Sequence, residues 1–318
     1  MMLASCLLYD DKRLKLFFSS LDIKKNYLLA LSGGSDSLFL LYLLKERGIT
    51  FTAVHVDHSW RSTSAIEAKN LEALCLREEV PFVLSSLTPT EKDIHRENSA
   101  RKQRYAFLCK LARQERFGGI FLGHHANDQA ETVLKRLLEG AHLSNLKGMT
   151  ETSSFQEVLL FRPLLHLPKS VLVHALHIAG ISYIQDTTNE DERYLRARMR
   201  KKLFPWIEEV FGKNITAPLH TLAEESKELA DYMEKQAEPF WSAIVYESGQ
   251  WVFQFPEDLI SQIFLAKWML KNFFYKAGVI VSRHFLQMIY DHLSCGSSAS
   301  LRMRNKAVIV KPRVVMIE

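Results

Sequence analysis

The residues with the clearest chemical meaning in this 318-residue chain are the serines, glycines and aspartate of Ser32-Gly33-Gly34-Ser35-Asp36-Ser37. They lie between an apolar, strand-like run and an apolar, helix-like run, Leu38 to Leu44. Paired glycines allow a sharp turn that directs several backbone N–H groups at one anion, and the following helix adds its positive dipole end. The serine hydroxyls can bind the same anion, and the Asp36 carboxylate can hold Mg²⁺ beside it. The sequence therefore predicts a phosphate-binding loop.

Two later groups of charged residues have the spacing of one helix face. Arg101 and Arg104 are three residues apart, so both guanidiniums can bind phosphates, with a solvated basic face as the alternative. His124, Asp128 and Glu131 share a face if the helix that follows a short strand includes His124. Asp128 and Glu131 also fit an acidic variant of a capping box, which is compatible with presenting groups to a ligand.

A third group is strongly basic: residues 193–202 carry six positive charges and no acid. The charged residues are Arg193, Arg196, Arg198, Arg200, Lys201 and Lys202. Such density with Tyr194 interposed favours contact with a nucleic-acid backbone, and the alternative is a solvated helix face. The net charge of +5 points weakly in the same direction.

The cysteines and histidines argue against a metal or disulfide framework. Cys6, Cys75, Cys109 and Cys295 lie far apart with no Cys-x-x-Cys pair, which disfavours zinc, an iron–sulfur cluster or a secreted disulfide scaffold. His55 and His58 have a spacing that suits no common zinc signature. Cys75 and Cys109 fall in helical patterns and are predicted to be core residues.

The elements that position these groups alternate in the first half of the chain. Strand-like runs at 27–32, 51–57, 81–85 and 119–123 are separated by helical patterns at 37–47, 65–79, 98–116 and 129–139. This alternation predicts an α/β fold with a mainly parallel sheet flanked by helices. Ligands on such sheets lie beyond the carboxyl ends of the strands, where the serine–glycine loop falls.

The second half is predicted to be mostly helical. Helical patterns cover 168–179, 203–211, 218–236, 258–275 and 284–293, and the tail at 300–304, 307–311 and 314–317 reads as short strands. A boundary near residue 212 predicts a catalytic domain at 1–212 and a smaller substrate-binding domain at 213–318. We expect no signal peptide or membrane span and a cytoplasmic protein.

Together the motifs resemble one family, the tRNA(Ile)-lysidine synthetases, within the N-type ATP pyrophosphatases. The resemblance covers about the first two-thirds of the chain. It rests on the serine–glycine loop, His58-Ser59-Trp60-Arg61, Ala100-Arg101-x-x-Arg104-Tyr105, His124-His125-x-x-Asp128-Gln129-Ala130-Glu131-Thr132, Arg136, Gly140, Arg162-Pro163-Leu164-Leu165, and Asp186-x-x-Asn189 with the arginines that follow. Many spaced motifs together are far more specific than any one of them.

The resemblance implies a reaction and a set of roles. The family uses ATP to adenylate the C2 oxygen of the wobble cytidine in a CAU anticodon of tRNA(Ile), and then joins free L-lysine at C2. Ser32, Gly33, Gly34, Ser35 and Ser37 would bind pyrophosphate, and Asp36 would bind Mg²⁺. Arg104 and Arg196 would bind phosphates, while His124, Asp128 and Glu131 would serve the amine and the cytosine. Arg193, Arg198, Arg200, Lys201 and Lys202 would contact RNA.

Two departures and two rival functions accompany this resemblance. Asn127 replaces an acid that the family usually has, which weakens a metal-ligand role there, and Ala197 replaces an asparagine. One rival is a thiolase-type tRNA-modifying pyrophosphatase, which the dispersed cysteines oppose. The other is a non-catalytic, nucleotide-sensing RNA-binding protein. The sequence leaves the oligomeric state open, a homodimer included.

Overall fold

The computed structural model of the chain describes residues 11–57, 64–86, 96–184, 192–303 and 306–318. The chain forms two compact units, Met1–Glu225 and Ser226–Glu318. The boundary predicted near residue 212 falls in the turn before the helix that spans this division, Thr216–Ala237. The extent of the functional domains stays a prediction.

The first unit contains a six-stranded sheet in the order β3-β2-β1-β4-β6-β5. Its strands are β1 (Tyr27–Ala30), β2 (Phe51–Asp57), β3 (Phe82–Ser86), β4 (Ile120–Phe121), β5 (Thr152–Phe155) and β6 (Val158–Phe161). All neighbouring pairs are parallel except β5 with β6. The carboxyl ends of five strands therefore meet at one edge of the sheet, as the sequence predicts.

Helices cover both faces of this sheet. They are α1 (Lys12–Ser19), α2 (Ser35–Glu46), α3 (Ser64–Arg77), α4 (Arg96–Gln114), α5 (Ala126–Leu138) and α6 (Lys169–Ile178). Because side chains alternate along a strand, Leu29 of β1 packs in the core with Phe39 of α2, whereas Leu28 packs on the opposite face with Leu108 and Cys109 of α4. The predicted α/β class is confirmed.

From Leu195 onward the first unit forms a nearly continuous helical segment. It comprises α7 (Leu195–Arg198), a π-helix at Met199–Leu203, α8 (Phe204–Phe211) and the start of α9 (Thr216–Ala237). Met199 and Phe204 are buried against Ala130 and Leu134 of α5. This packing brings the basic segment against α5, the helix that carries the predicted catalytic carboxylates.

The second unit packs helices against an antiparallel sheet. Its elements after α9 are β7 (Ile244–Glu247), β8 (Gln250–Gln254), α10 (Glu257–Ile260), α11 (Ile263–Lys276), α12 (Arg283–Ser294), β9 (Ala299–Met303), β10 (Lys306–Lys311) and β11 (Val314–Ile317). The five strands pair in the order β7-β8-β11-β10-β9. Trp268 is buried in the core of this unit, and Trp241 packs edge-on against it.

Two hairpins are absent from the sequence prediction. The β5–β6 turn is Gln156-Glu157, with φ values of 48° and 65°. A two-residue turn with positive φ at both positions usually signals itself through Asn-Gly or Asp-Gly, and Gln-Glu carries no such signal. The second hairpin joins β7 and β8 through Ser248-Gly249. No helix in the described ranges is long and apolar enough to span a membrane.

Candidate active site at the carboxyl ends of the strands

The serine–glycine loop connects β1 to α2 and is shaped by its own serines. The Ser37 hydroxyl is buried and accepts the backbone N–H groups of Ser32 (3.2 Å) and Gly33 (3.1 Å). Gly33 has φ +84°, and a Cβ there would lie 2.6 Å from Ile184 Cδ1, so the tight turn requires glycine. Gly34 is the N-cap of α2 and provides no side-chain cap. The helix N-terminus can therefore direct its first N–H groups at an anion.

Asp36 stands in the first turn of α2 among polar groups. Its Oδ1 accepts the Ser35 hydroxyl at 2.9 Å, and its Oδ2 lies 3.5 Å from His125 Nε2 and 3.9 Å from Lys169 Nζ. Burial raises the pKa of this carboxyl, but the hydrogen bond and charge of His125, with Lys169 and Ser35, lower it overall. The side chain is 25% exposed, so an ionised carboxylate faces the loop and remains accessible to a cation.

The junction of β4 and α5 approaches this loop closely. A side chain at Gly123 would crowd this loop, since a Cβ would lie 3.0 Å from the backbone carbon of Asp36. The helix begins at Ala126 with His125 as N-cap, and the His125 N–H donates to Asp128 Oδ2 at 3.1 Å. The reading of Asp128 and Glu131 as a capping pair is therefore wrong, because the helix starts earlier and Glu131 falls in its second turn.

His125 joins two of the carboxylates. It is 2% exposed, and its Nε2 lies 3.4 Å from Asp128 Oδ2 as well as 3.5 Å from Asp36 Oδ2. Asn127, the departure from the family pattern, accepts the backbone N–H of Lys169 at 3.0 Å and so positions the start of α6. This contact places the Lys169 ammonium near Asp36.

Arg200 binds the two carboxylates of α5 at once. Its Nε donates to Glu131 Oε1, and its Nη2 donates to Glu131 Oε2 at 3.1 Å and to Asp128 Oδ1 at 2.9 Å. The Glu131 and Asp128 side chains are 3% and 10% exposed, whereas Arg200 is 35% exposed. Burial raises the pKa of Glu131 above its usual value, although Arg200 counteracts that rise.

His124 is a neutral ring at the same edge of the sheet. Burial lowers its pKa to about 3, an effect that Asp128 opposes and that Arg162, Arg101 and Arg196 reinforce. The ring can therefore accept or donate a hydrogen bond at neutral pH without carrying charge. Arg101 of α4 is therefore one of the arginines whose charge acts on this ring.

The lowered pKa makes the protein sensitive to acid. Because the folded state holds His124 with a pKa of about 3 and the unfolded state has the ordinary value, the contribution of His124 to stability is present above pH 6.5 and is lost as the pH falls toward 3. Between pH 7 and pH 4 the free energy of unfolding should fall in both proteins. We expect this fall to be smaller in a His124→Asn variant than in the wild type, by on the order of 2 kcal/mol. Urea unfolding at the two pH values measures this, and equal losses would contradict the prediction.

Three of the predicted site residues, Asp36, Asp128 and Glu131, are joined through His125 and Arg200. Arg196 of α7 acts on His124 and Glu131 through its charge, and Arg104 lies on α4. The motifs His58–Arg61 and Asp186–Asn189 lie outside the described residues. Sequence reasoning missed the roles of His125 and Lys169. The adjacent histidines after a strand were a usable signal for the first, but nothing local connects Lys169 to Asp36.

This loop, at the carboxyl end of the first strand of a parallel sheet, defines a nucleotide-binding protein of the PP-loop class. Residues 8–207 match the model of the PP-loop domain family. The structure is similar to that of the U34-tRNA thiolase NcsA from Methanococcus maripaludis with its [4Fe-4S] cluster, with a TM-score of 0.56 and 17% identity over 69% of this chain and 77% of that one. That likeness shows a shared fold.

Full-length relatives identify the family. The chain is 68% identical to the tRNA(Ile)-lysidine synthase of Chlamydia pneumoniae, over 100% of both chains. It is 60% identical to that of Chlamydia abortus over 99% of both, and 53% identical to that of Chlamydia trachomatis serovar L2 over 97% of both. The chain belongs to the tRNA(Ile)-lysidine synthase family and contains an ATP-utilising PP-loop domain.

Proposed function

We propose that the protein ligates free lysine to C2 of the wobble cytidine in a CAU-anticodon tRNA(Ile) in two steps. In the first, the C2 oxygen attacks the α-phosphate of ATP and pyrophosphate leaves. In the second, the ε-amine of lysine attacks C2, loses a proton and expels AMP, which leaves lysidine. The observation that carries this proposal is the 68% identity to a tRNA(Ile)-lysidine synthase across the whole of both chains.

The loop supports the first step. The uncapped N-terminus of α2 and the hydroxyl of Ser32 can hold the departing pyrophosphate. Mg²⁺ usually binds through one or two carboxylates together with substrate phosphates, which fits the single accessible carboxylate of Asp36. The described ranges contain no cluster of three or more metal-binding side chains. Phosphate oxygens and water would complete the coordination of Mg²⁺. Bound Mg²⁺ would neutralise the charge that develops on the pyrophosphate.

The carboxylates of α5 support the second step. The Asp128 charge acts on the neutral ring of His124, and Arg200 binds Asp128 and Glu131 together, so its single positive charge neutralises one of these two carboxylates. The remaining negative charge favours an ammonium group and can assist its deprotonation. Both Glu131 oxygens already accept hydrogen bonds from Arg200. Glu131 therefore contributes to this step by its negative charge and by its contact with Arg200.

The cysteines oppose the thiolase alternative. Cys75 and Cys109 are fully buried, and burial raises the pKa of Cys75 to about 11 and that of Cys109 above its usual value. Cys295 lies in the second unit. Thiols that act as nucleophiles or cluster ligands have depressed pKa values and accessible sulfurs, so Cys75 and Cys109 are suited to packing, whereas Cys295 is exposed.

The basic segment supports RNA binding. The Arg193, Arg198, Lys201 and Lys202 side chains are exposed. Arg198 donates to the backbone carbonyls of Glu192 and Arg193, each at 2.8 Å, and the exposed carboxylate of Glu192 pairs with Lys202. A row of exposed cations on one helical segment suits a phosphate backbone.

We expect replacement of Arg198, Lys201 and Lys202 by Gln to weaken tRNA binding and to flatten its salt dependence. Three fewer phosphate contacts should reduce the slope of log K against log salt by about two, because fewer counterions are released. ATP affinity should stay unchanged. Filter binding across salt concentrations measures the slope, with Lys24, Lys25 and Lys110 replaced by Gln as the charge-matched control. An unchanged slope would mark the segment as a solvated face.

The proposed reaction is tested directly. The protein is incubated with ATP, Mg²⁺, labelled lysine and either a CAU-anticodon tRNA(Ile) or a CAU-anticodon tRNA(Met). We expect label in the first tRNA only, together with AMP and pyrophosphate. Incorporation without ATP would overturn the mechanism, and pyrophosphate release without lysine incorporation would favour another tRNA-modifying activity. A protein that binds both substrates without pyrophosphate release would be the non-catalytic rival.

A further inference from the structure

Arg200 differs from the other basic residues of its segment in the described contacts, because its guanidinium binds the buried carboxylates of α5. Its neighbours Lys201 and Lys202 are exposed, whereas Arg200 is half-buried against α5. It lies in the π-helix Met199–Leu203, and such turns are rare and occur frequently at functional sites. The buried side chain of Met199 in the same turn anchors the segment against α5.

The contacts of Arg200 extend in one continuous path to the loop. Its guanidinium spans Glu131 and Asp128, Asp128 Oδ2 accepts the His125 N–H, and His125 Nε2 lies between Asp128 and Asp36. A planar guanidinium with several donors can serve two carboxylates at fixed geometry, which an ammonium cannot do. Removing it would leave two buried carboxylates facing each other.

We propose that Arg200 is a positioning residue for lysine transfer, which holds Glu131 and Asp128 as one ionised unit at the reaction centre. The inference rests on the proposed function and changes the role predicted for Arg200 from RNA contact to support of the carboxylates. Through Asp128 and His125 it also reaches Asp36. The contact therefore ties the segment that carries the RNA-binding cations to the groups that bind ATP and the amine.

The first test compares Arg200→Gln with Arg200→Lys. We expect Arg200→Gln to lower kcat for lysine transfer by about tenfold to a hundredfold and to raise KM for lysine, while the salt slope of tRNA binding stays at the wild-type value. Arg200→Lys keeps the charge but cannot bridge both carboxylates, so it should restore transfer only in part. Arg113→Gln is the control, because that exposed arginine donates only to the carbonyl of Gln156, at 3.0 Å, in the described contacts.

The pH profile separates positioning from simple stabilisation. Glu131 faces Arg200, Asp128 and Arg196, and burial together with Asp128 raises its pKa while the two arginines lower it. Without Arg200 the carboxylate should protonate at higher pH, so the acid limb of lysine transfer should move to higher pH in Arg200→Gln. If Arg200 served only as a structural ion-pair partner, Arg200→Gln would lower the melting temperature and leave the acid limb in place.

A double variant tests whether Arg200 acts through Glu131. If it does, Glu131→Gln with Arg200→Gln should reduce transfer no more than the more severe single variant. Multiplied losses, an unmoved acid limb, or a defect confined to tRNA affinity and fully restored by Arg200→Lys would each overturn the proposal. Absence of lysidine from the wild type would instead refute the function. In that case a ¹³C NMR titration of the Glu131 carboxyl with and without Arg200 still tests the positioning.

Discussion

Asp36→Asn should reduce pyrophosphate release by about a hundredfold or more, the scale expected when a preorganised charge at a phosphoryl centre is lost. The amide can still accept the Ser35 hydroxyl, so the loop should keep its shape. The substitution removes the negative charge that would hold Mg²⁺. In the wild type, His125 and Lys169 keep this carboxyl ionised. Affinity for tRNA should change little, since the exposed cations of the basic segment are unaffected.

Pyrophosphate release at subsaturating Mg²⁺ is the decisive measurement for Asp36. Asp22→Asn makes the same change of charge in an exposed turn, where the amide oxygen can replace the carboxylate as acceptor for the Lys24 N–H. That control should behave as the wild type. Normal release by Asp36→Asn at low Mg²⁺ would remove Asp36 from the metal site.

Glu131→Gln should reduce lysine transfer by roughly a hundredfold or more, the usual scale for acid–base catalysis. The amide oxygen can still accept one hydrogen bond from Arg200. The negative charge at position 131 is lost, so Asp128 is the remaining carboxylate that binds the guanidinium. We expect the free energy of unfolding to fall by only about 1–2 kcal/mol, because the 35% exposure of Arg200 lets water replace part of the contact.

Rapid-quench kinetics should then show adenylated tRNA accumulating, because the loop and Asp36 that serve the first step are intact. Glu139→Gln is the matched control, since this exposed residue ends the same helix and pairs only with Lys135, at 3.2 Å, in the described contacts. Normal lysidine formation by Glu131→Gln would reduce Glu131 to a structural partner of Arg200. Loss of both steps would mean that the carboxylates of α5 also serve adenylation.

Local chemistry made much of this protein predictable from its sequence. The paired glycines and serines of the loop, the apolar strands beside it and the helical periods that follow depend on neighbours within a few residues. The predicted second strand, 51–57, agrees with the observed β2 (Phe51–Asp57) at both ends. The position of the loop at the carboxyl end of β1 follows from the same local rules, because alternating strands and helices form a parallel sheet.

Tertiary structure decided which charges meet. Glu131 and Arg200 are 69 residues apart, and their spacing along the chain contains no information about their contact. Six cations in one segment predict a basic surface, yet packing of Met199 and Phe204 on α5 turns Arg200 inward toward carboxylates. The start of α5 at Ala126 likewise depends on a bond from its N–H to the carbonyl of Leu167 (2.9 Å), on a distant part of the chain. Sequence thus determined the chemical groups and the edge of the sheet on which they lie. Their pairing depends on burial and long-range packing, which only the folded chain establishes.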